Sequence, residues 1–454
     1  MSQTDVLTIV LAAGKGTRMK SRLPKGLHEI AGRTLLGHVI TASQKALPGE
    51  LAVVVGPDMA NVADEARALA PEARSFLQPH QRGTADAVLA AREAIAGAQD
   101  VFVLFCDTPL LLASTLSKMR RALDDGAKVA VLGFEASDPA GYGRLLTSDA
   151  GELTAIREHN DATDAERAVC LCNSGVMAFR CPDLLQILDE IDDNNAKGEF
   201  YLTDAVELAR KRGLKAVAVA ADEEQLLGIN DRLQLAAAEA VFQKRRRTEA
   251  MAEGATLIAP ETVWFSHDTV VGRDVVIEPN VFFGPGVKIG DGVHLRANCH
   301  IEGAEIGEGA KIGPYARLRP GAKLGEDVHI GNFVEVKNVA MGRGAKANHL
   351  AYLGDGSVGA RANIGAGTIF CNYDGYFKHR TEIGRAAFVG SNSALVAPVR
   401  IGDGAFIGSG SVITKDVPEN ALALERSEQT VRTDWAEKFR TVMARRKAQS
   451  RSNS

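Results

Sequence analysis

No stretch of this sequence reaches the roughly 18 apolar residues that a helix needs to cross a bilayer. The only early apolar run, Val6 to Ala13, is short, carries Thr8 and lacks a basic lead-in, so it does not read as a signal peptide. The six cysteines (Cys106, Cys170, Cys172, Cys181, Cys299 and Cys371) make no Cys-x-x-Cys pair and no zinc spacing. These absences lead to the expectation of a reduced, cytoplasmic protein without membrane insertion. A basic face is missing too. The net charge is −4, and residues 1–231 alone carry −9, which excludes a general nucleic-acid binder. The 45% apolar fraction excludes large-scale disorder. No glycine follows Gly410, yet residues 251–420 hold 27 of the 45. The chain therefore changes character near residue 250, and 454 residues predict two or three domains.

Short apolar runs at Val6–Leu11, Leu51–Val55, Val101–Phe105, Val129–Phe134 and Ala216–Val219 alternate with helical patterns such as Thr84–Ala96 and Leu202–Arg212. Continuous apolar strands with helical crossovers predict an α/β domain whose sheet is covered on both faces and largely parallel. Residues 232–252 have helical spacing (Leu233, Leu235, Ala238, Val241, Phe242) and predict a connecting helix. Its Lys244-Arg245-Arg246-Arg247 cluster fits a solvated helix face or an anion site. Near the end, Trp435, Phe439, Val442 and Met443 follow Thr433-Asp434 at helical spacing and predict a docking helix. The segment from Lys438 to Arg451 holds six basic residues and no acid.

From Val271 the apolar period is six: Val271, Ile277, Phe283, Ile289, Leu295, Ile301, then Ile306, Ile312, Leu318, Leu324, Ile330, Val336. It resumes at Val358 and Ile364, and again from Ile383 through Val389, Leu395, Ile401 and Ile407 to Ile413. A period of six fits neither an α-helix nor a sandwich strand and predicts the hexapeptide coils of a β-helix. Residues 337–357 and 365–382 read as interruptions, where a solenoid collects functional groups.

The strand Val6–Leu11 runs into Ala12-Ala13-Gly14-Lys15-Gly16-Thr17-Arg18, then Pro24-Lys25. A glycine-rich turn after a buried strand brings backbone N–H groups to phosphate oxygens. A dinucleotide fingerprint needs a third glycine where Met19 stands, and a Walker A loop is absent. Arg18 and Lys25 add the cations that a triphosphate requires. Asp107 closes the run Val101–Phe105, a position suited to Mg²⁺ bridging phosphates.

Leu11–Lys25 resembles the signature loop of sugar-phosphate nucleotidyltransferases, and Gln78, Gly83-Thr84, Gly143-Arg144, Glu158, Asn173 and Asn230 follow in matching order. The whole chain resembles the bacterial bifunctional family that makes UDP-N-acetylglucosamine for cell-wall and lipopolysaccharide precursors. The resemblance implies a Rossmann-like uridylyltransferase over 1–231, a linker helix over 232–252, and a left-handed parallel β-helix N-acetyltransferase with its tail over 253–454. It implies that Leu11, Ala12, Ala13, Gly14, Arg18, Lys25, Gln78, Gly83, Thr84, Gly143, Glu158 and Asn173 bind the uridine nucleotide sugar, with Asp107 and Asn230 on Mg²⁺. In the second half, Arg319, Lys337, Tyr352 and Asn363 would bind the amino-sugar phosphate and His349 would be the general base. Ala366, Asn372, Tyr373, Ser391, Ser409 and Arg426 would line the acetyl-CoA side. The implied substrates are UTP, glucosamine-1-phosphate, N-acetylglucosamine-1-phosphate and acetyl-CoA, and the implied assembly is a homotrimer.

The residues agree with this reading. Arg319 and Lys337 are cations at breaks in the apolar repeat, suited to a sugar phosphate, and an imidazole can take a proton from an amine nucleophile. His349 is expected near Lys337, Tyr352 and Asn363. Because His349 and Arg426 lie 77 residues apart, one site is expected to take them from different subunits. Four positions depart from the family pattern. Cys106 stands for a glycine, Gly26 for an apolar residue, Asn348 for a small residue and Ser409 for an alanine. Two other readings stay open: a monofunctional nucleotidyltransferase whose coils only oligomerise, and a regulatory exchange subunit of a translation factor.

Overall fold

The computed structural model describes residues 4–180, 182 and 184–452, so Cys181 lies outside the described residues. The chain divides into two compact units. One runs to Val270 and includes Phe282–Gly286, and the other comprises Val271–Val281 and the chain from Val287.

The first unit is built on a nine-stranded sheet: β1 Thr4–Leu11, β2 Glu50–Val55, β3 Arg74–Leu77, β4 Ala98–Phe105, β5 Val129–Glu135, β6 Arg144–Thr147, β7 Leu153–Arg157, β8 Leu171–Phe179 and β9 Ala216–Ala220. The order is β9-β5-β8-β4-β1-β2-β3, with β6 and β7 attached beside β8. The strands β1, β2, β4 and β5 each carry a run of buried, mostly apolar residues, as burial on both faces demands. Alternate side chains feed two cores. Val6, Val10, Phe102 and Leu104 meet helices Leu35–Ala46 and Ala113–Asp124. Leu7, Ile9, Val101 and Val103 meet helices Thr84–Leu89 and Asp204–Lys211. The pattern read as one helix over Thr84–Ala96 is two short ones, Thr84–Leu89 and Arg92–Ile95. The sheet is mixed rather than largely parallel, because β8 runs antiparallel between β4 and β5 and β6 pairs antiparallel with both β8 and β7. Its polar Asn173-Ser174-Gly175 hid it from a search for apolar runs.

A helix spans Arg232–Ala252, capped by Asp231, whose carboxylate accepts from the Gln234 amide at 2.9 Å. Only Lys244 of its basic cluster lies on a solvated face. Arg245 donates to the Leu110 carbonyl, Arg246 to Thr269 and Arg247 to Pro260, at 2.9, 2.9 and 3.0 Å.

The second unit is a left-handed parallel β-helix with three ladders of short strands. One ladder aligns Ile277, Leu295, Ile312, Ile330, Ala347, Ile364, Val389, Ile407 and Ala423. A second aligns Ile301, Leu318, Val336 and Leu353, and further up Phe370, Leu395 and Ile413. A third aligns Ile289, Ile306, Leu324, Met341, Val358, Ile383 and Ile401. Every residue of the six-residue period is buried except half-buried Val271. Each buried side chain contributes roughly 1.5–3 kcal/mol, realised only when the neighbouring coil is in place.

Residues 337–357 are not an interruption. Met341, Ala347 and Leu353 carry the inward positions through them, disguised by five-residue steps and by an alanine in place of a branched residue. The second break is real but shorter. Phe370 fills the inward position, and only a loop around Tyr373–Lys378 is inserted before Ile383. The helix Trp435–Ser452 is exposed from Trp435 to Arg451, so the expected docking does not occur within the chain. Among the described residues, no helix is long and apolar enough to cross a membrane.

Candidate active sites

β1 and β4 are parallel and in register, Leu11 opposite Phe105, so the turns after them emerge side by side at the carboxyl edge of the sheet. The Cys106 amide donates to the Leu11 carbonyl at 3.1 Å and locks the two turns together. Beside them opens a cavity of about 280 Å³, walled by Leu11, Ala13, Gly14, Lys25, Gln78, Gly83, Thr84 and Asp107. A Cβ on Gly14 would meet nothing within 4 Å, so the backbone there is open to a ligand. Gly16 has φ +61°, and a Cβ on it would stand 2.7 Å from Lys25 Cβ. Glycine is required there if Lys25 is to lie against the turn.

Lys25 forms an ion pair with Asp107, and its ammonium also donates to Asn230 Oδ1 at 3.3 Å. Arg18 donates to the same Asn230 oxygen at 2.9 Å. The Ile229 amide donates to the Asp107 carbonyl at 2.9 Å, which ties the two oxygen-bearing residues together. A carboxylate and an amide oxygen thus converge on one cationic point. That is a hard-oxygen pair fit for Mg²⁺, which takes its remaining ligands from water and phosphate. Among the described residues, no group of three or more His, Cys, Asp and Glu could hold a metal.

Gln78 is buried and donates to the Gly83 carbonyl and to Asp86, at 3.2 and 2.9 Å. Gly83 and Thr84 are gripped from behind. A Cβ on Gly83 would stand 2.4 Å from the Phe200 carbonyl, and Thr84 Oγ1 accepts from the Leu202 amide at 2.9 Å. Gly143, Glu158 and Asn173 form a neighbouring group outside the cavity wall. The Asn173 amide donates to the Gly143 carbonyl at 2.8 Å, and a Cβ on Gly143 would stand 3.3 Å from Glu158 Oε1. Burial pushes the Glu158 carboxyl up. Sequence reasoning missed Gln81, Ala87, Phe105 and Glu199, which with Cys106 complete the wall. No spacing signal pointed to Glu199, because it arrives from a segment more than 110 residues after Gly83.

The departures Cys106 and Gly26 touch each other. The Cys106 sulfur lies 3.4 Å from where a Gly26 Cβ would stand, so the larger residue fills the room the smaller one leaves. Burial pushes the Cys106 thiol up to about 12, which keeps it an uncharged wall group.

In the β-helix, His349 is in register with Asn332 on the preceding coil. Two residues beyond the aligned Ala347, Ile364, Val389 and Ile407 stand His349, Ala366, Ser391 and Ser409, a single column along one edge. Backbone bonds run up it: Gly367 to the His349 carbonyl, Asn392 to Ala366 and Gly410 to Ser391, at 3.3, 2.7 and 2.8 Å. At the top the Arg426 guanidinium donates to the Ser409 carbonyl at 3.2 Å. His349 and Arg426 therefore lie on one edge of one chain, their sequence separation reduced by stacking to a few coils.

Arg319, Lys337 and Tyr352 lie on the next face. Glu335 pairs in register with Tyr352, and Lys337 with Gly354. Arg319 is held by Glu335 at 2.9 Å. The Leu350 corner, at φ +51°, separates this face from His349, so the expected cluster is split across two faces. Asn363 stays on the His349 face, in register with Lys346 and Phe388. Asn372 turns inward and donates to buried Asp355 at 2.5 Å, while the Tyr373 hydroxyl donates to Gly375 within its own loop. Neither joins the column. Sequence reasoning also missed Asn332, and Lys378, whose ammonium lies beside that of Lys337 and is lowered by it.

Residues 8–169 match the family model of the MobA-like NTP transferase domain. Residues 268–303, 303–338 and 380–415 match the bacterial transferase hexapeptide model. The chain is 57% identical over 448 residues to the bifunctional protein GlmU of Xanthobacter autotrophicus, covering 98% of this chain and 100% of that protein. The chain belongs to the bifunctional GlmU family. It is 58% identical to the GlmU of Azorhizobium caulinodans over 98% of this chain and 100% of that protein. It is 56% identical to the GlmU of Nitrobacter hamburgensis over 97% and 98%. A GlmU relative thus aligns with both the glycine-rich cavity and the His349 column.

Proposed function

We infer that the protein acetylates glucosamine-1-phosphate with acetyl-CoA and then transfers UMP from UTP to the product, giving UDP-N-acetylglucosamine and pyrophosphate. The membership of one chain in a family whose members are bifunctional over their full length carries this reading. The residue roles are proposals. Residues 1–231 would be the uridylyltransferase, 232–252 the linker, and 253–454 the acetyltransferase with its tail.

In uridylyl transfer the sugar phosphate attacks the α-phosphorus of UTP in line and pyrophosphate leaves. Positioning and electrostatics dominate such a reaction. The Gly14 backbone would cradle phosphate oxygens, and Lys25 and Arg18 would offset the accumulating charge. Asp107 and Asn230 would hold Mg²⁺, which when bound supplies further charge neutralisation.

In acetyl transfer His349 would be the base. Asn332 Oδ1 can only accept, so the 2.8 Å contact keeps the proton on His349 Nδ1 and leaves Nε2 to take the proton of the attacking amine. The amine attacks the thioester carbon and the thiolate of coenzyme A leaves. From His349 to Ser409 is three coils, about 15 Å at the usual interstrand spacing, a length suited to an extended thioester arm. Arg426 would close its far end. Arg319 and Lys337 would take the sugar phosphate, aided by Lys378.

Side chains on the outer sides of two faces that meet at a convex corner diverge. We propose that His349 of one chain and the Arg319–Lys337 face of a neighbour complete one site in a cyclic trimer. A cytoplasmic location is proposed from the metabolite substrates.

The test is incubation with UTP, Mg²⁺, acetyl-CoA and glucosamine-1-phosphate, each product assayed separately. Both products are expected. Uridylyl transfer alone would leave a nucleotidyltransferase with a scaffold of coils, and neither activity would favour the regulatory reading.

A further inference from the structure

The first unit has another cavity, of about 330 Å³, walled partly by Pro109–Ala113, the continuation of the segment that carries Asp107. Leu110, Leu111, Leu112 and Phe242 give it an apolar side. Its charged lining is Arg33, Lys45, Arg245 and Arg246 against one carboxylate, Glu249. That carboxylate is spent on Arg246, with which it forms an ion pair. His38, hydrogen-bonded to the Ile30 carbonyl at 2.9 Å and held down to about 4 by burial, is uncharged and balances nothing.

Arg33 and Arg245 each give an N–H to a neutral oxygen, Thr41 Oγ1 at 3.0 Å and the Leu110 carbonyl at 2.9 Å. A guanidinium has five N–H groups, so both keep donors for a planar two-oxygen head. Burial lowers both guanidinium pKa values, with only Asp268, or Glu224 and Asp222, opposing it. These cations stand in a poorly solvated place with little counter-charge. A cavity lined by both apolar residues and such cations, at the lower end of the size range of ligand pockets, fits a small amphiphilic carboxylate.

We propose that this cavity is an effector site for such a carboxylate, and that its occupancy slows uridylyl transfer. Arg245 is the link. Its bond to the Leu110 carbonyl anchors the segment three residues beyond Asp107, and a carboxylate drawing on the same guanidinium competes with that bond. The coupling rests on the uridylyl-site reading above; the binding does not.

Octanoate is the probe, titrated calorimetrically into the full chain, with octanol (no charge) and acetate (no tail) as controls. Lys45→Glu reverses a charge on the rim and Ala42→Phe fills the cavity, and neither residue belongs to the proposed catalytic machinery. Octanoate is expected to bind once per chain, and at least tenfold more weakly in each variant of unchanged melting temperature. It is expected to lower the uridylyl kcat about fivefold without raising KM for UTP, a typical coupling between sites. No binding at millimolar octanoate, binding equal to that of octanol or acetate, or binding unaltered in Lys45→Glu would overturn the site. Binding with an unchanged kcat, or inhibition competitive with UTP, would overturn the coupling. A chain that binds octanoate but never transfers uridylyl groups would refute the functional reading and leave the cavity standing.

Discussion

The imidazole of His349 stands 2.8 Å from the side-chain oxygen of Asn332, 17 residues earlier and one coil away. The contact sets which ring nitrogen is basic. His349→Ala is expected to lower acetylation by roughly 10²–10⁴, the usual worth of a general base. Asn332→Ala should cost about tenfold and act on kcat rather than on KM for glucosamine-1-phosphate. Uridylyl transfer from supplied N-acetylglucosamine-1-phosphate should be unchanged in both. Acetylation reduced less than tenfold by His349→Ala would move the base elsewhere.

Lys25→Ala and Asp107→Ala should each abolish uridylyl transfer and spare acetylation, since the Lys25–Asp107 pair belongs to the other compact unit. A folded variant that lost both activities would refute the assignment of two sites.

Chelation should separate the halves in the same way. Uridylyl transfer is expected to stop in EDTA and recover with Mg²⁺. Acetylation, proposed to run at the His349 column without a metal, should continue. Acetylation that stopped with EDTA would contradict this.

Asp204, at the start of its helix, is pushed up to about 6, first by burial and then by Asp192 and Glu207. A carboxyl whose folded pKa lies above its unfolded value adds stability below the unfolded value, about 4, and that stability is lost as pH rises through about 6. Asp204→Asn should therefore raise the melting temperature at pH 8 and leave it nearly unchanged at pH 4. Equal shifts at both pH values would show that hydrogen bonding, not ionisation, governs the site.

Light scattering should give about three times 48.2 kDa. Co-expressed His349→Ala and Lys337→Ala chains should recover acetylation, because a mixed trimer can take each residue from a different chain. His349→Ala with Arg426→Ala should not, since those two share one edge. A monomer, or recovery in the second pairing only, would refute the shared site.

The inward-facing hexapeptide residues were legible because a buried period of six has no competing explanation. Ala347 and Met341 were not, since a small residue and a five-residue step both erase the period while the backbone keeps its register. Lys25 and Asp107 could be picked out because each ends a strongly apolar run or a glycine turn. The grip of Phe200 and Leu202 on Gly83 and Thr84 was invisible, because long-range backbone contacts leave no mark on local composition. Asn332 was equally hidden. Its role exists only through coil register, which turns a separation of 17 residues into one hydrogen bond.

The coil from Ile364 to Val389 is seven to eight residues longer than its neighbours, yet Ala366 and Ser391 keep their places in the column. The surplus is thrown outward as the loop around Tyr373–Lys378. Reach along that edge is thereby counted in whole coils, as on a ruler with fixed graduations. Loops can lengthen or change in sequence without moving the marks, whereas inserting one coil between Ala366 and Ser391 would displace the far end by a single step of about 4.8 Å. Sequence change around that edge can thus accumulate without altering how far Ser409 lies from His349.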